Sequence, residues 1–156
     1  MKGEEIPQKD HVALHCESLD FEVGPDGTRG GLKIDVFRVD DDGISVYWVE
    51  HEPGPFEQCF ERTCCLLASL RTVRRKHACG ILNVSEIIQA AAATNRVVTV
   101  VHDPIEEPKP NPAHSLIKGC VPSDHLLSRF RLLVDVRDFT PAALKIAKEK
   151  EKAKRR

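Results

Sequence analysis

An α+β fold on a single mixed or mainly antiparallel sheet is what three features of this sequence predict. Strand-like segments crowd the first fifty residues, two pairs of strands are joined in the manner of antiparallel hairpins, and helical spacings alternate with strands thereafter. Helices packed mostly on one face of that sheet are the simplest layered arrangement for this order. The same two hairpins argue against a strictly parallel, doubly wound sheet. At 156 residues the chain is one domain in size and long enough to bury a core without disulfides or metal.

The elements follow in order. Residues 1–10 are polar and predict a disordered arm, so the domain proper is expected over 11–139. HVALHC (11–16) and LDFEV (19–23) read as short strands, followed by a Gly24-Pro25-Asp26-Gly27 turn. Leu32, Ile34 and Val36 alternate with Lys33, Asp35 and Phe37, and with Ile44–Val49 across the Asp40-Asp41-Asp42-Gly43 turn they predict a hairpin. Pro53-Gly54-Pro55 breaks the chain before a helix over Phe56–Arg75. Its stripe of Phe56, Cys59, Phe60, Cys64, Leu67 and Leu70 faces the core. Early acids (Glu57, Glu61) and late bases (Arg71, Arg74, Arg75, Lys76) suit the helix dipole.

A strand over 79–84 leads to a helix capped by Ser85. Val97–His102 and Ala113–Lys118 form a second hairpin. A helix opens at Pro122-Ser123 with Leu126, Leu127, Phe130, Leu133 and Val134 inside, and Thr140-Pro141 starts a basic C-terminal helix over 140–156.

The formal net charge of −1 hides an asymmetry. Residues 145–156 hold seven basic and two acidic side chains, leaving 16 basic and 22 acidic in the rest, a net of −6. A basic tail attracts phosphates or an acidic partner surface, and also serves simply to solvate a helix end. No apolar run is long enough to span a membrane and the N-terminus lacks a signal-peptide core, so the expected location is the cytoplasm. The six cysteines include no Cys-x-x-Cys pair, which predicts core thiols and no metal site.

Chemistry concentrates between Val97 and Gly119. Register counting across the second hairpin sets Asp103 opposite His114 and His102 opposite Ser115. A carboxylate orienting an imidazole and a base beside a hydroxyl are both parts of nucleophilic catalysis. The two pairs nevertheless fall on opposite faces, and no Gly-x-Ser-x-Gly elbow presents Ser115. The two His-x-Ser/Thr-x strings of a two-histidine phosphoesterase are incomplete, because His11-Val12-Ala13-Leu14 and His114-Ser115-Leu116-Ile117 lack the hydroxyl at the third position. Phosphate-loop, dinucleotide, zinc-protease and EF-hand signatures are absent.

The segments ISVYWVE (44–50), GILNV (80–84), VHDP (101–104) and NPAHSLIKG (111–119) together resemble a loose group of small bacterial proteins without an assigned activity. The resemblance covers roughly residues 30–125 and touches Trp48, Glu50, Asn83, His102, Asp103, Pro104 and His114. It implies a compact cytosolic domain and no particular reaction.

The leading expectation is a non-catalytic binding or accessory module that acts with a protein partner, in a bacterial regulatory or defence setting. Trp48, Glu50, Asn83 and Ser115 are its candidate binding residues, and no cofactor is expected. The alternative is a small hydrolase or phosphoesterase using His114, Asp103 and His102. A third reading is nucleic-acid binding through Arg71, Arg74, Arg75, Lys76, Arg155 and Arg156.

Overall fold

The computed structural model describes residues 2–122 and 124–156. In chain order the elements are β1 (His11–Cys16), β2 (Phe21–Val23), β3 (Arg29–Leu32), β4 (Val39–Asp40), β5 (Gly43–Trp48), α1 (Phe56–Leu70), β6 (Ala78–Asn83), α2 (Val84–Ala92), β7 (Thr99–His102), β8 (His114–Lys118), α3 (His125–Leu133), β9 (Asp135–Asp138) and α4 (Pro141–Lys154). Seven strands form one sheet in the order β7-β8-β5-β1-β6-β9, with β4 also on β5, and β2 and β3 form a separate two-stranded ribbon. Every strand pair is antiparallel, as the hairpin signals predict.

The helices are not on one face. Burial along β1, β6 and β8 is nearly continuous rather than alternating, the mark of a sheet covered on both sides. On one face Ala13, Tyr47, Cys79 and Ile81 lie under Cys59, Phe60, Cys64 and Leu67 of α1 and Ala143 of α4. On the other, Val12, Val46, Leu82, Val100 and Ile117 meet Ile87 and Ala91 of α2 and Leu126, Leu127 and Phe130 of α3. Alternation in the sequence is blurred because both faces of these strands are apolar, which hides the second layer.

Several boundaries differ from the sequence reading, each for a local reason. The described part of the N-terminal arm is tied down rather than disordered: Gly3 N donates to His102 O (2.7 Å), His102 N to Glu4 O (2.8 Å) and Ile6 N to Val100 O (2.9 Å), and Ile6 is buried. These residues satisfy the open edge of β7. The expected Leu32–Val39 strand is interrupted by a 3₁₀ turn at Ile34–Val36, so only Val39 and Asp40 pair with β5. Val36 and Phe37 point inward, with Phe37 edge-on to Phe130 of α3, so their period reflects packing on a helix.

Helix α1 stops at Leu70, and Arg71 takes an extended conformation. The cation at its C-terminus is Lys150 of α4, whose Nζ donates to Ala68 O (3.4 Å) and Arg71 O (3.0 Å), rather than the expected Arg71–Lys76 run. Asn83, not Ser85, caps α2, accepting from Glu86 N (3.1 Å). Asp124 caps α3, and Ser123, expected in its first turn, lies outside the described residues. Val134 follows α3 instead of lining it, and the unpredicted β9 has a charged sequence, DVRD, that earns its strand only by pairing with β6. Thr140 caps α4 as its sequence predicts. No helix among the described residues is long and apolar enough to cross a membrane.

One consequence of this topology positions the site. β5 gives one edge wholly to β8, through Ile44, Ser45, Val46 and Tyr47. Its other edge is divided: Trp48 and Tyr47 pair with Val12 and Ala13 of β1, whereas Ile44 and Gly43 pair with β4. Between them Ser45 and Val46 have no strand partner on that edge, and β1 continues against β6 alone from Leu14 to Cys16. The strands therefore part and a cleft opens. Gly43 makes the turn that allows it, with φ of +129° and the Ile117 carbonyl oxygen 2.5 Å from where a Cβ would sit. Gly43→Ala is therefore expected to destabilise the protein by about 2–4 kcal/mol, read from urea unfolding midpoints. A change below about 0.5 kcal/mol would show that this turn is not constrained as described.

Candidate active site in the cleft between β1 and β5

The cleft encloses about 260 Å³ and is lined by Leu14, His15, Glu17, Val36, Arg38, Asp40, Ser45, Tyr47 and Arg71. Ser45 and Tyr47 alternate onto the same face of β5. His114 sits opposite Tyr47 in β8, so Ser45 is its diagonal neighbour on that face. Ser45 Oγ lies 3.2 Å from His114 Nε2.

The other ring nitrogen fixes the chemistry of this contact. His114 Nδ1 is 2.8 Å from the Asp103 carbonyl oxygen, which can only accept, so Nδ1 carries the proton. In the neutral ring Nε2 then holds the lone pair and accepts from the Ser45 hydroxyl. Asp103 Oδ2 lies 3.4 Å from the same Nδ1, close enough to stabilise positive charge on the ring, while Oδ1 faces Lys2 Nζ at 3.4 Å. The result is a hydroxyl, a base and an orienting aspartate in sequence. The Ser45 contact is long for a hydrogen bond, as such pairs often are without substrate.

Beside Ser45, Tyr47 Oη accepts from Arg71 Nε at 3.0 Å. His15 Nε2 lies 2.8 Å from His77 Nδ1, which already accepts from Arg74 N (3.3 Å), so His15 is the donor and His77, with no proton on Nδ1, is neutral. Burial first, then His77 and Arg71, push His15 down to about 4, with Asp20 opposing and Arg38 adding to the shift. Burial lowers His77 as well, against the pull of Glu17.

The residues singled out in the sequence divide between this cleft and other roles. Asp103 and His114 meet as predicted. His102 pairs with Ser115 across β7 and β8, on the opposite face from His114. Its Nε2 donates to Pro112 O (2.6 Å), Nδ1 is buried without a hydrogen-bond partner among the described residues, and the ring packs on Trp48 and His51. Ser115 Oγ is buried and donates to Ala113 O at 3.0 Å, so it is not presented to solvent. Trp48 Nε1 donates to Asp10 Oδ2 (3.0 Å). Glu50 holds His11 at two points, Nδ1 (2.7 Å) and the backbone N (2.8 Å). Asn83 caps α2 and donates to backbone oxygens of residues 8–10. Trp48, Glu50 and Asn83 thereby brace one end of the sheet.

The basic residues Arg71, Arg74, Arg75 and Lys76 are all exposed after α1, and of these Arg71 lines the cleft. Arg155 and Arg156 are exposed at the end of α4, with Arg155 paired to Glu151 (3.3 Å). Among the described residues no group of three or more His, Cys, Asp or Glu side chains is placed to hold a metal ion.

Ser45 and Tyr47 are the site residues that sequence reasoning missed. The signal was present: Ser45 is the one hydroxyl-bearing small residue in the apolar run Ile44–Val49. What pattern alone does not give is the pairing of β5 with β8, which joins residues 69 apart. No protein-family model, curated protein or solved structure matches the chain.

The depressed His15 has a measurable consequence. Because its folded value lies below the ordinary 6.5, the unfolded chain takes up the proton first as pH falls, so stability present above about 6.5 is lost down to about 4. Between pH 7 and 5 His15 alone is expected to remove about 2 kcal/mol. Urea unfolding at both pH values, compared with His15→Gln, tests this. An equal pH dependence in the variant would contradict it.

Proposed function

We propose that the protein is a small hydrolase acting on esters, with Ser45 as nucleophile, His114 as general base and acid, and Asp103 as the group that orients and stabilises the imidazole. The observation that supports it is the Ser45 Oγ to His114 Nε2 contact, at 3.2 Å, in a ring whose tautomer is set by a carbonyl on the far side. In this reaction Ser45 Oγ bonds to the substrate carbonyl carbon while its proton passes to Nε2. The carbon–oxygen bond to the alcohol then breaks, and the alcohol leaves with that proton. Water, deprotonated by His114, attacks the acyl–Ser45 ester and releases the acid, restoring the hydroxyl.

Compared with the sequence reading, Ser45 replaces His102 as the third member. Both nitrogens of His102 lie on the other side of the sheet from the cleft, so it takes no part.

A second reading, a binding module that works with a protein partner, is favoured by a different region. Leu19, just before the β2–β3 ribbon, and Val23, within it, are 82% and 84% exposed, and Phe21, Val23, Arg29 and Lys76 help to line a groove of about 370 Å³. Large apolar side chains exposed next to a groove are a common feature of contact surfaces.

The two readings part on the reactivity of Ser45. A fluorophosphonate probe is expected to modify Ser45, as located by peptide mass spectrometry, and the rate to fall at least a hundredfold in His114→Gln with the fold verified by circular dichroism. Asp103→Asn, which keeps the carbonyl contact, is expected to slow it about tenfold, a milder loss than that of the base itself. An unmodified Ser45, or a rate indifferent to His114, would reject the hydrolase and leave the binding module.

A further inference from the structure

We infer that Arg71, aligned by Tyr47, is an oxyanion receptor within the Ser45 cleft, so that the ester taken there carries a second, negatively charged group, a carboxylate or phosphate. This rests on the hydrolase reading and adds the chemical class of its substrate.

The two arginines that line the cleft differ in what they hold. Arg38 is spent: its Nη2 is 3.1 Å from Asp20 Oδ1, and Asp20 is buried. Arg71 has no carboxylate against it among the described residues. Its only side-chain partner there is the neutral Tyr47 hydroxyl, which receives Nε–H at 3.0 Å. Its carbonyl is meanwhile held by Lys150 Nζ at 3.0 Å, so the residue is fixed at main chain and side chain together. With Nε occupied, the terminal fork of the guanidinium keeps its donors, and that fork matches a carboxylate or phosphate with two parallel hydrogen bonds.

Arg71 is exposed, and none of the other charged groups of the cleft forms an ion pair with it among the described residues. Asp40 Oδ1 accepts from Asp42 N (3.0 Å) and Gly43 N (3.1 Å), closing the turn into β5. Glu17 is exposed at the start of a 3₁₀ turn and makes no ion pair with Arg71. His15 is neutral and adds no charge of its own. Arg71 Nε satisfies the hydroxyl of the buried Tyr47, a role that leaves the charged terminal fork unused. The fork has a clear purpose in selecting and orienting an anion.

Two further points define the ligand. Having accepted from Arg71, the Tyr47 hydroxyl still has its own proton to donate, so the pair offers donors to negative charge both in the bound group and in charge that develops on the reacting carbonyl. The space of about 260 Å³ suits a small acid ester rather than a long acyl chain.

The test compares mono-4-nitrophenyl succinate, which carries a free carboxylate, with 4-nitrophenyl acetate, which does not. The unaltered protein is expected to favour the succinate ester at least tenfold in kcat/KM. In Arg71→Gln that ratio is expected to collapse to about one, with Arg71→Lys in between because it keeps charge but not the fork. Whichever of succinate and inorganic phosphate inhibits the unaltered protein more strongly, and loses that advantage in Arg71→Gln, identifies the oxyanion. Turnover through an acylated Ser45 without preference for the charged ester overturns the Arg71 inference and leaves the hydrolase. No turnover of either ester and no acylated Ser45 overturns both.

Discussion

The divided edge of β5 is the constraint on which the rest depends. A strand has two edges, and β5 commits one to β8 while sharing the other between β1 and β4. The shared edge cannot be continuous, because β4 runs only two residues and β1 stays in register with β6 along its whole length. The interval falls at Ser45 and Val46. Val46 turns into the core between the sheet and α2 and α3, and Ser45 turns towards the cleft. A break in the hydrogen-bonded ladder thus becomes a place where a hydroxyl, a phenol and two arginines surround open space.

The neighbouring elements keep that break fixed. Lys150 ties α4 to the end of α1 and holds Arg71 where its side chain reaches Tyr47. The N-terminal residues lie along β7 and bring Lys2 to Asp103, whose carbonyl orients His114. Asp20 anchors Arg38 and accepts from Glu17 N at 2.7 Å. Buried charged or polar groups left unpaired cost more than such contacts return, so each of these pairings is specific in geometry even where its net stability is small.

How much of this was legible depends on the range of the interaction. Pairing of His102 with Ser115, the cap at Thr140 and the core stripe of α1 each follow from neighbours in sequence or a single turn, and they are found as read. The approach of Asp103 to His114 is of the same kind, although the carbonyl rather than the carboxylate makes the shorter contact. Ser45 was beyond reach because its partner comes from a strand whose placement depends on global sheet order. The second helical layer was hidden for a related reason: strands buried on both faces lose the alternation that marks a solvent side. DVRD gave no strand signal because its stability comes from β6 rather than from its own residues.

The most direct test of the account is the protonation state of His114. Nitrogen-15 NMR of histidine-labelled protein at neutral pH distinguishes a protonated ring nitrogen from one with a lone pair. Proton on Nδ1 and a lone pair on Nε2, with the Nε2 signal shifted by Ser45→Ala, is the result expected of a base held against the serine hydroxyl. Proton on Nε2 would make His114 a donor to Ser45, and the proposed catalytic chain would not exist.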